Sequence, residues 1–189
     1  MRTIKNKMMA LVAGILLVVG AVSVAAMTPN ASEDALKEAR IGKNVRHELV
    51  TLPYYGIFDN LAYKVEGGTV TLYGQVVRPS TRADAARRVA KIDGVTNVIN
   101  RIEVLPLSGF DDSIRYRTVR ALANTGGLYR YMLGANPSLH IIVNNGRVAL
   151  EGVVANEGDR RLAYIIANTV PGVFSVTNNL RTDQDKRNS

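Results

Sequence analysis

Val65-Glu66-Gly67-Gly68-Thr69-Val70-Thr71-Leu72-Tyr73-Gly74-Gln75-Val76-Val77 reads as the bend and second arm of a β-hairpin. Upstream, Leu61, Tyr63 and Val65 alternate with more polar neighbours, as one face of a half-buried strand does. Gly67-Gly68 then supplies the positive φ that a two-residue turn between antiparallel strands needs. Val70, Leu72, Gly74 and Val76 alternate back along the return strand. Seventy-eight positions later the pattern recurs. Asn145-Gly146 takes the turn, and Val148, Leu150, Gly152 and Val154 take the return strand.

The recurrence extends outward from the hairpin. Residues 61–104 and 139–182 share 13 identities in 44 positions without a gap. Gly94-Val95 falls on Gly172-Val173, and Asn100 falls on Asn178. The matches lie at apolar and turn positions, so the sequence predicts one domain copied once. The first unit is expected over 32–104 and the second over 112–182. Residues 105–111 form a linker holding Pro106 and Gly109, short enough to set the units side by side while leaving some angular freedom. The polar tail 183–189 reads as frayed.

Each unit reads helix, strand, strand, helix, strand. In the first, Ser32 is placed to cap a helix whose apolar face holds Leu36, Ile41, Val45 and Leu49. In the second, Ile114, Thr118 and Leu122 take that place, and Asp111-Asp112 reads as the cap rather than as a metal pair. A second helix follows each hairpin, with Ala85, Val89 and Ile92 on one face, matched by Ala163, Ala167 and Val170. Gly94 and Gly172 are expected as left-handed residues closing these helices. The last strand carries Val98, Asn100, Ile102 and Val104. The expected class is α+β, with two tandem αββαβ domains, each a three-stranded sheet bearing two helices on one face. Gly74 and Gly152 sit inside strands, where a missing side chain lets a helix come close or permits a bulge. Asn100 and Asn178 point among apolar neighbours and are expected to bond to backbone.

The chain opens with Arg2, Lys5 and Lys7, followed by an apolar run from Met8 and small residues up to Ala26. That order reads as an export signal over 1–26, cleaved or kept as an anchor, and so as a periplasmic protein. There is no cysteine, so no disulfide and no lipid-bearing thiol is available. The formal charge of +8 includes the basic start, leaving the remainder mildly basic. That balance suits weak attraction to anionic surfaces and is too dilute for a nucleic-acid interface. Two histidines, His47 and His140, are not paired, and no phosphate-binding loop or metal-ligand spacing is present. The residues hold neither a catalytic set nor a cofactor site, so the sequence reads as a non-catalytic binding protein.

The ordered motifs Gly67-Gly68, Val70-Thr71-Leu72, Gly74, Ala85, Gly94-Val95 and Val98-x-Asn100-x-Ile102 resemble the BON domain (bacterial OsmY and nodulation). The second copy keeps Asn145-Gly146, Val148-Ala149-Leu150, Gly152, Ala163, Gly172-Val173 and Val176-x-Asn178-x-Leu180. The resemblance implies a double-BON envelope-stress protein without catalytic residues, binding anionic phospholipid membranes. The other reading is an interaction or chaperone-like scaffold for envelope proteins. The second unit departs from the first by about five extra residues between Asn124 and Leu133.

That departure borders the candidate surface. Arg115, Tyr116, Arg117 and Arg120 lie on the opening helix, and Tyr129, Arg130 and Tyr131 follow Gly126-Gly127. Arginine pairs with phosphate and tyrosine sits at headgroup depth, so these seven residues are the expected membrane contacts. Within the same stretch Leu133 is expected to pack inward.

Overall fold

The structure is a computed structural model that describes residues 29–183 and 185. The expected signal segment 1–26 lies outside the described residues. The first unit runs α1 (Pro29–Val50), β1 (Asn60–Glu66), β2 (Thr69–Val76), α2 (Pro79–Val89), β3 (Asn97–Asn100) and β4 (Glu103–Val104). The second runs α3 (Gly109–Ala123), a 3-10 turn (Leu128–Tyr131), β5 (Leu139–Asn144), β6 (Arg147–Val154), α4 (Glu157–Asn168) and β7 (Ser175–Thr182). The first sheet has the order β1-β2-β3, and β4 carries the third strand onward beside β2. The second has the order β5-β6-β7. In both, the hairpin is antiparallel and the last strand joins the central one in parallel. The α+β pair of units is therefore as the periodicity requires.

Each sheet buries one face under its two helices. Ile41, Val45 and Leu49 of α1 meet Val70, Leu72 and Val76 of β2 and Ala85 and Val89 of α2. Ile114 and Leu122 of α3 meet Leu139, Ile141, Val148 and Leu150, closed by Ala163 and Ala167 of α4. The small alanines let the second helix lie close to its sheet. Leu36 is 71% exposed, since α1 begins at Pro29 and its first core residue is Ile41. Ser32 therefore lies inside the helix rather than at its cap.

Several local expectations change in detail. A Cβ on Gly74 would stand 2.0 Å from the Asn60 carbonyl oxygen, and one on Gly152 would stand 2.1 Å from that of Ser138. The neighbour is thus an adjacent strand backbone and not a helix, and both glycines hold a positive φ, +112° and +113°, while the strand register runs through them unbroken, so neither site is a bulge. Gly94 and Gly172 lie beyond the C-caps Ala90 and Thr169, in the turns that feed the last strands. Asn100 donates to the Arg82 carbonyl at 3.0 Å and accepts from the Ile102 amide at 3.1 Å. Asn178 repeats both bonds with Arg160 and Leu180. The cap of α3 is Ser108, which accepts from the Asp111 amide at 3.2 Å. Asp111 itself is buried and accepts the amides of Asn145 and Gly146 at 2.9 and 2.8 Å, so it holds the second hairpin turn.

The units are joined by more than the linker. The segment between α1 and β1 crosses onto the second unit, where Ile57 and Phe58 pack against its core. The Ile141 amide, on the outer edge of β5, donates to the Ile57 carbonyl at 2.7 Å. The segment thus acts as a strap that covers an otherwise open sheet edge. Leu105, at the start of the linker, is 3% exposed and donates its amide to Val76 at 2.9 Å. The strap restricts the angular freedom expected of the linker.

Candidate functional site

The outer surface of the second unit's helical layer is the candidate site. On α3 the core takes Ile114, Thr118 and Leu122, which leaves Arg117 and Arg120 on the exposed side, while Phe110 begins the same i+4 row as the core residues and, like Ile114, lies against Gly172. On α4 the core takes Ala163 and Ala167, which leaves Arg161, Tyr164, Ile165 and Asn168 at helical spacing on the solvent side. Beside the start of α3, the turn before β7 brings Phe174 to Phe110, with ring centroids 5.9 Å apart. Phe174 is 74% exposed and Leu107, in the linker, 95% exposed.

The seven residues named from sequence divide. Arg115 is 2% exposed, ion-paired to Asp112 at 2.5 Å and bonded to the Val143 carbonyl at 2.7 Å. It ties α3 to the end of β5. Tyr131 is also buried, because the inserted 3-10 turn drops Leu128 and Tyr131 into the core. Its hydroxyl donates to Asp159 at 2.6 Å and accepts from the Ala155 amide at 3.0 Å. These two residues are enclosed and leave the surface. Arg130 is exposed and paired with Asp159 at 2.6 Å, and its guanidinium charge is held more firmly by the Tyr131 hydroxyl. Tyr129 and Tyr116 are exposed, with Tyr116 edge-on to Phe58 of the strap at 5.7 Å. Arg117 and Arg120 are exposed, and Arg117 donates to the Pro171 carbonyl at 3.2 Å. Leu133 is 62% exposed rather than packed inward.

Arg117, Arg120 and Arg161 form no ion pair among the described residues. The sequence reading missed Phe110, Phe174 and Leu107, because the first two lie far apart in the chain and only the fold stacks them.

The groups whose titration is shifted mainly by burial lie at the joint between units. Burial pushes the Tyr55 hydroxyl up to about 12 and holds His140 below the ordinary imidazole value. His140 Nδ1 lies 3.2 Å from the Gly56 carbonyl, with its ring 5.5 Å from that of Tyr55. Asp59, 4% exposed, is pushed above the usual carboxylate value by burial, although the Val77 and Gly56 amides donate to it at 2.8 and 3.1 Å. Among the described residues no cluster of His, Cys, Asp or Glu is arranged to hold a metal.

The BON domain family model matches the chain twice, over residues 37–106 and 111–184. No curated protein sequence matches it. Among solved structures, the C-terminal domain of CdsD, a structural protein of the type III secretion system of Chlamydia trachomatis, is similar at 11% identity and a TM-score of 0.27. That similarity covers 74% of this chain and 96% of that one. A second CdsD structure is similar at 11% identity and a TM-score of 0.28, covering 78% and 95%. With two matched copies spanning most of its length, the chain belongs to the BON-domain family as a tandem member.

Proposed function

We propose that the protein is a non-catalytic module of the bacterial envelope that binds anionic phospholipid surfaces weakly through the helical face of its second unit. BON domains are tied to envelope proteins, and the family is generally non-catalytic. No helix of the described residues is long and apolar enough to cross a membrane, so contact by this part of the chain is peripheral. The observation that carries the reading is the exposed Phe110–Phe174 pair at one end of a helical layer whose exposed side carries Arg117 and Arg120, neither of them in an ion pair among the described residues. Basic residues near an anionic surface contribute roughly 1 kcal/mol each, and salt screens them. Two aromatic rings that enter the headgroup region add a hydrophobic component that salt leaves in place.

Co-sedimentation with vesicles tests this. Binding is expected to anionic vesicles and to fall by about tenfold or more on vesicles of zwitterionic lipid alone, consistent with two or three lost electrostatic contacts. Arg117→Glu with Arg120→Glu is expected to remove the salt-sensitive part. Phe110→Ser with Phe174→Ser is expected to remove the part that survives high salt. Equal binding to anionic and zwitterionic vesicles, or indifference to both double variants, overturns the reading.

A further inference from the structure

The two units differ at the free edge of the hairpin's first strand. In the second unit two contacts close that edge. The Ile141 amide donates to the Ile57 carbonyl of the strap at 2.7 Å, and the Val143 carbonyl accepts from Arg115 at 2.7 Å. In the first unit β1 keeps the same register on its partner. Tyr63 stands opposite Leu72 and Val65 opposite Val70, as Ile141 stands opposite Leu150 and Val143 opposite Val148. Tyr63 and Val65 therefore turn the same backbone groups outward. Among the described residues neither contact recurs there, and no backbone group of Tyr63 or Val65 is bonded outside the hairpin. The cause lies in the opening helix. When Ile114 and Leu122 of α3 are set on Ile41 and Leu49 of α1, Arg115 falls on Gly42, which has no side chain to cap a carbonyl. The Tyr63 ring lies over that glycine, 3.6 Å from where a Cβ would stand. Burial follows these contacts. β5 is buried along nearly its whole length, whereas β1 is half-buried or exposed throughout.

The start of this open edge borders a cleft of about 270 Å³ between the units. Asn60, Leu61 and Tyr63 line it from the first unit, and Pro137, Gly152 and Val153 from the second. Arg46 of α1 and Arg181 of β7 stand in the same cleft, and no carboxylate lines it. Both arginines are exposed, and neither forms an ion pair among the described residues. We propose that β1 and this cleft bind the C-terminal end of an extended peptide, which adds to β1 as an antiparallel strand and sets its free carboxylate against Arg46 and Arg181. Chain direction and charge agree in this. A strand antiparallel to β1 runs from Glu66 toward Asn60, so its last residue is the one that enters the cleft. Its backbone exchanges amide–carbonyl bonds with Tyr63 and Val65, the groups that the second unit caps and the first does not. Pairing ends at Leu61, whose amide is already met by the Tyr55 hydroxyl. There the terminal carboxylate takes over, with guanidinium groups as charge-assisted donors. Leu49, Leu61 and Val153 surround the terminal side chain, which selects an apolar last residue. A second copy of the chain is disfavoured as the occupant, since the wall from the second unit leaves room for the end of a single chain and not for a folded sheet edge. Phe110, Phe174, Arg117 and Arg120 do not line the cleft, so this site is separate from the helical face.

Calorimetric and NMR titrations of the full chain with acetyl-Ser-Val-Thr-Val-Thr-Leu, bearing a free C-terminus, test the proposal. No lipid is present, so the outcome is independent of the membrane reading. Saturable binding is expected at about 1 mM or tighter. The same peptide as its C-terminal amide is expected to bind about tenfold more weakly, having lost the charge-assisted bonds. Arg46→Gln with Arg181→Gln, at two exposed sites, is expected to bind acid and amide alike. Methylating the backbone nitrogen of the antepenultimate valine, which faces Tyr63, is expected to weaken binding about tenfold or more, whereas methylating that of the penultimate threonine, which faces away from β1, is expected to change it less than about threefold. The Tyr63 and Val65 amides are expected to shift and to exchange more slowly with peptide bound, while the Ile141 amide is unchanged. Failure to saturate, equal binding of acid and amide by the parent protein, equal loss from either methylation, or shifts centred away from β1 each overturn the proposal. Protection of the Tyr63 amide that grows with protein concentration alone also overturns it, since a second copy would then hold the edge.

Discussion

Asp111 and Glu38 make the same contact at different depths. Each carboxylate sits on the opening helix of its unit and accepts an amide from the hairpin turn, Glu38 from Gly67 at 2.7 Å near the surface and Asp111 from two amides in the interior. Charge-assisted bonds strengthen as water leaves them. Asp111→Ala is therefore expected to cost about 3 kcal/mol or more, because it strands two amide donors, one of them fully buried. Glu38→Ala is expected to cost less than about 1 kcal/mol, since water replaces the lost acceptor. Urea unfolding of the two variants checks both values. The pairing was not legible in the sequence, where Asp111 reads as a helix cap. The two carboxylates are 73 positions apart while the strands they serve are 78 apart, and the difference is the insertion between α3 and β5. The Asn100 and Asn178 bonds were legible, because a polar residue among apolar neighbours on a strand has few choices other than backbone. Arg115 and Tyr131 show the reverse case. Their types suit a membrane, yet their burial follows from Asp112, Val143, Asp159 and Ala155, partners set by tertiary contact and not by spacing.

At the scale of elements, the strap between α1 and β1 gives the molecule its asymmetry. In the first unit Gly56-Ile57-Phe58 lies against the neighbouring β5 edge, whereas the equivalent residues of the second unit are Gly134-Ala135-Asn136. The apolar plug thus exists once, and the contact cannot repeat through the second unit to a further copy in the same way. Replacing both Ile57 and Phe58 by alanine is expected to cost about 2–4 kcal/mol, below the full value for large core residues because both are only partly buried. Hydrogen exchange should report where the loss falls. The Ile141 amide, which loses its carbonyl partner when the strap lifts, is expected to exchange faster, while amides on β2 keep their protection. The hairpins, the helices and the order of strands were all legible, since each rests on short-range periodicity and turn residues. The strap was not, because its residues carry no periodic pattern and their partner lies more than 80 positions away. A second test belongs here. Gly152→Ala is expected to destabilise by about 3 kcal/mol or more, because its Cβ would overlap the Ser138 carbonyl of the paired strand and the backbone has to move. An alanine at Gly56, where no atom lies within 4 Å of the added Cβ, is the matched control and is expected to cost far less.

For the molecule as a whole, the joint between units sets how stability responds to acid. His140 sits there with its imidazole pressed against Tyr55 and the Gly56 carbonyl, and Asp59 lies buried in the same strap. Arg46 and Arg181 line the cleft that His140 also borders. Burial holds His140 below its ordinary value, while the carbonyls of Gly56, Asp59 and Pro137 work weakly the other way. The unfolded chain therefore takes up a proton at this residue before the folded one does. Stability is unaffected well above the ordinary imidazole value of 6.5 and falls as the pH drops through it. Asp59 has the opposite sign. Its carboxyl is raised above 3.8 by burial, so the folded state binds that proton first, and the group favours folding in acid and loses that contribution as the pH rises through its raised value. The two variants separate the effects. His140→Gln, which can still donate to the Gly56 carbonyl, is expected to flatten the fall in urea midpoint between about pH 7.5 and pH 6, the span below which an ordinary imidazole is mostly charged. Asp59→Asn is expected to leave that fall in place and to remove the compensating gain at lower pH. A parent protein whose midpoint is level across the imidazole range would mean that the joint opens to water before the ring is protonated, and the Ile141 amide would then exchange as fast in the parent as in the strap variant.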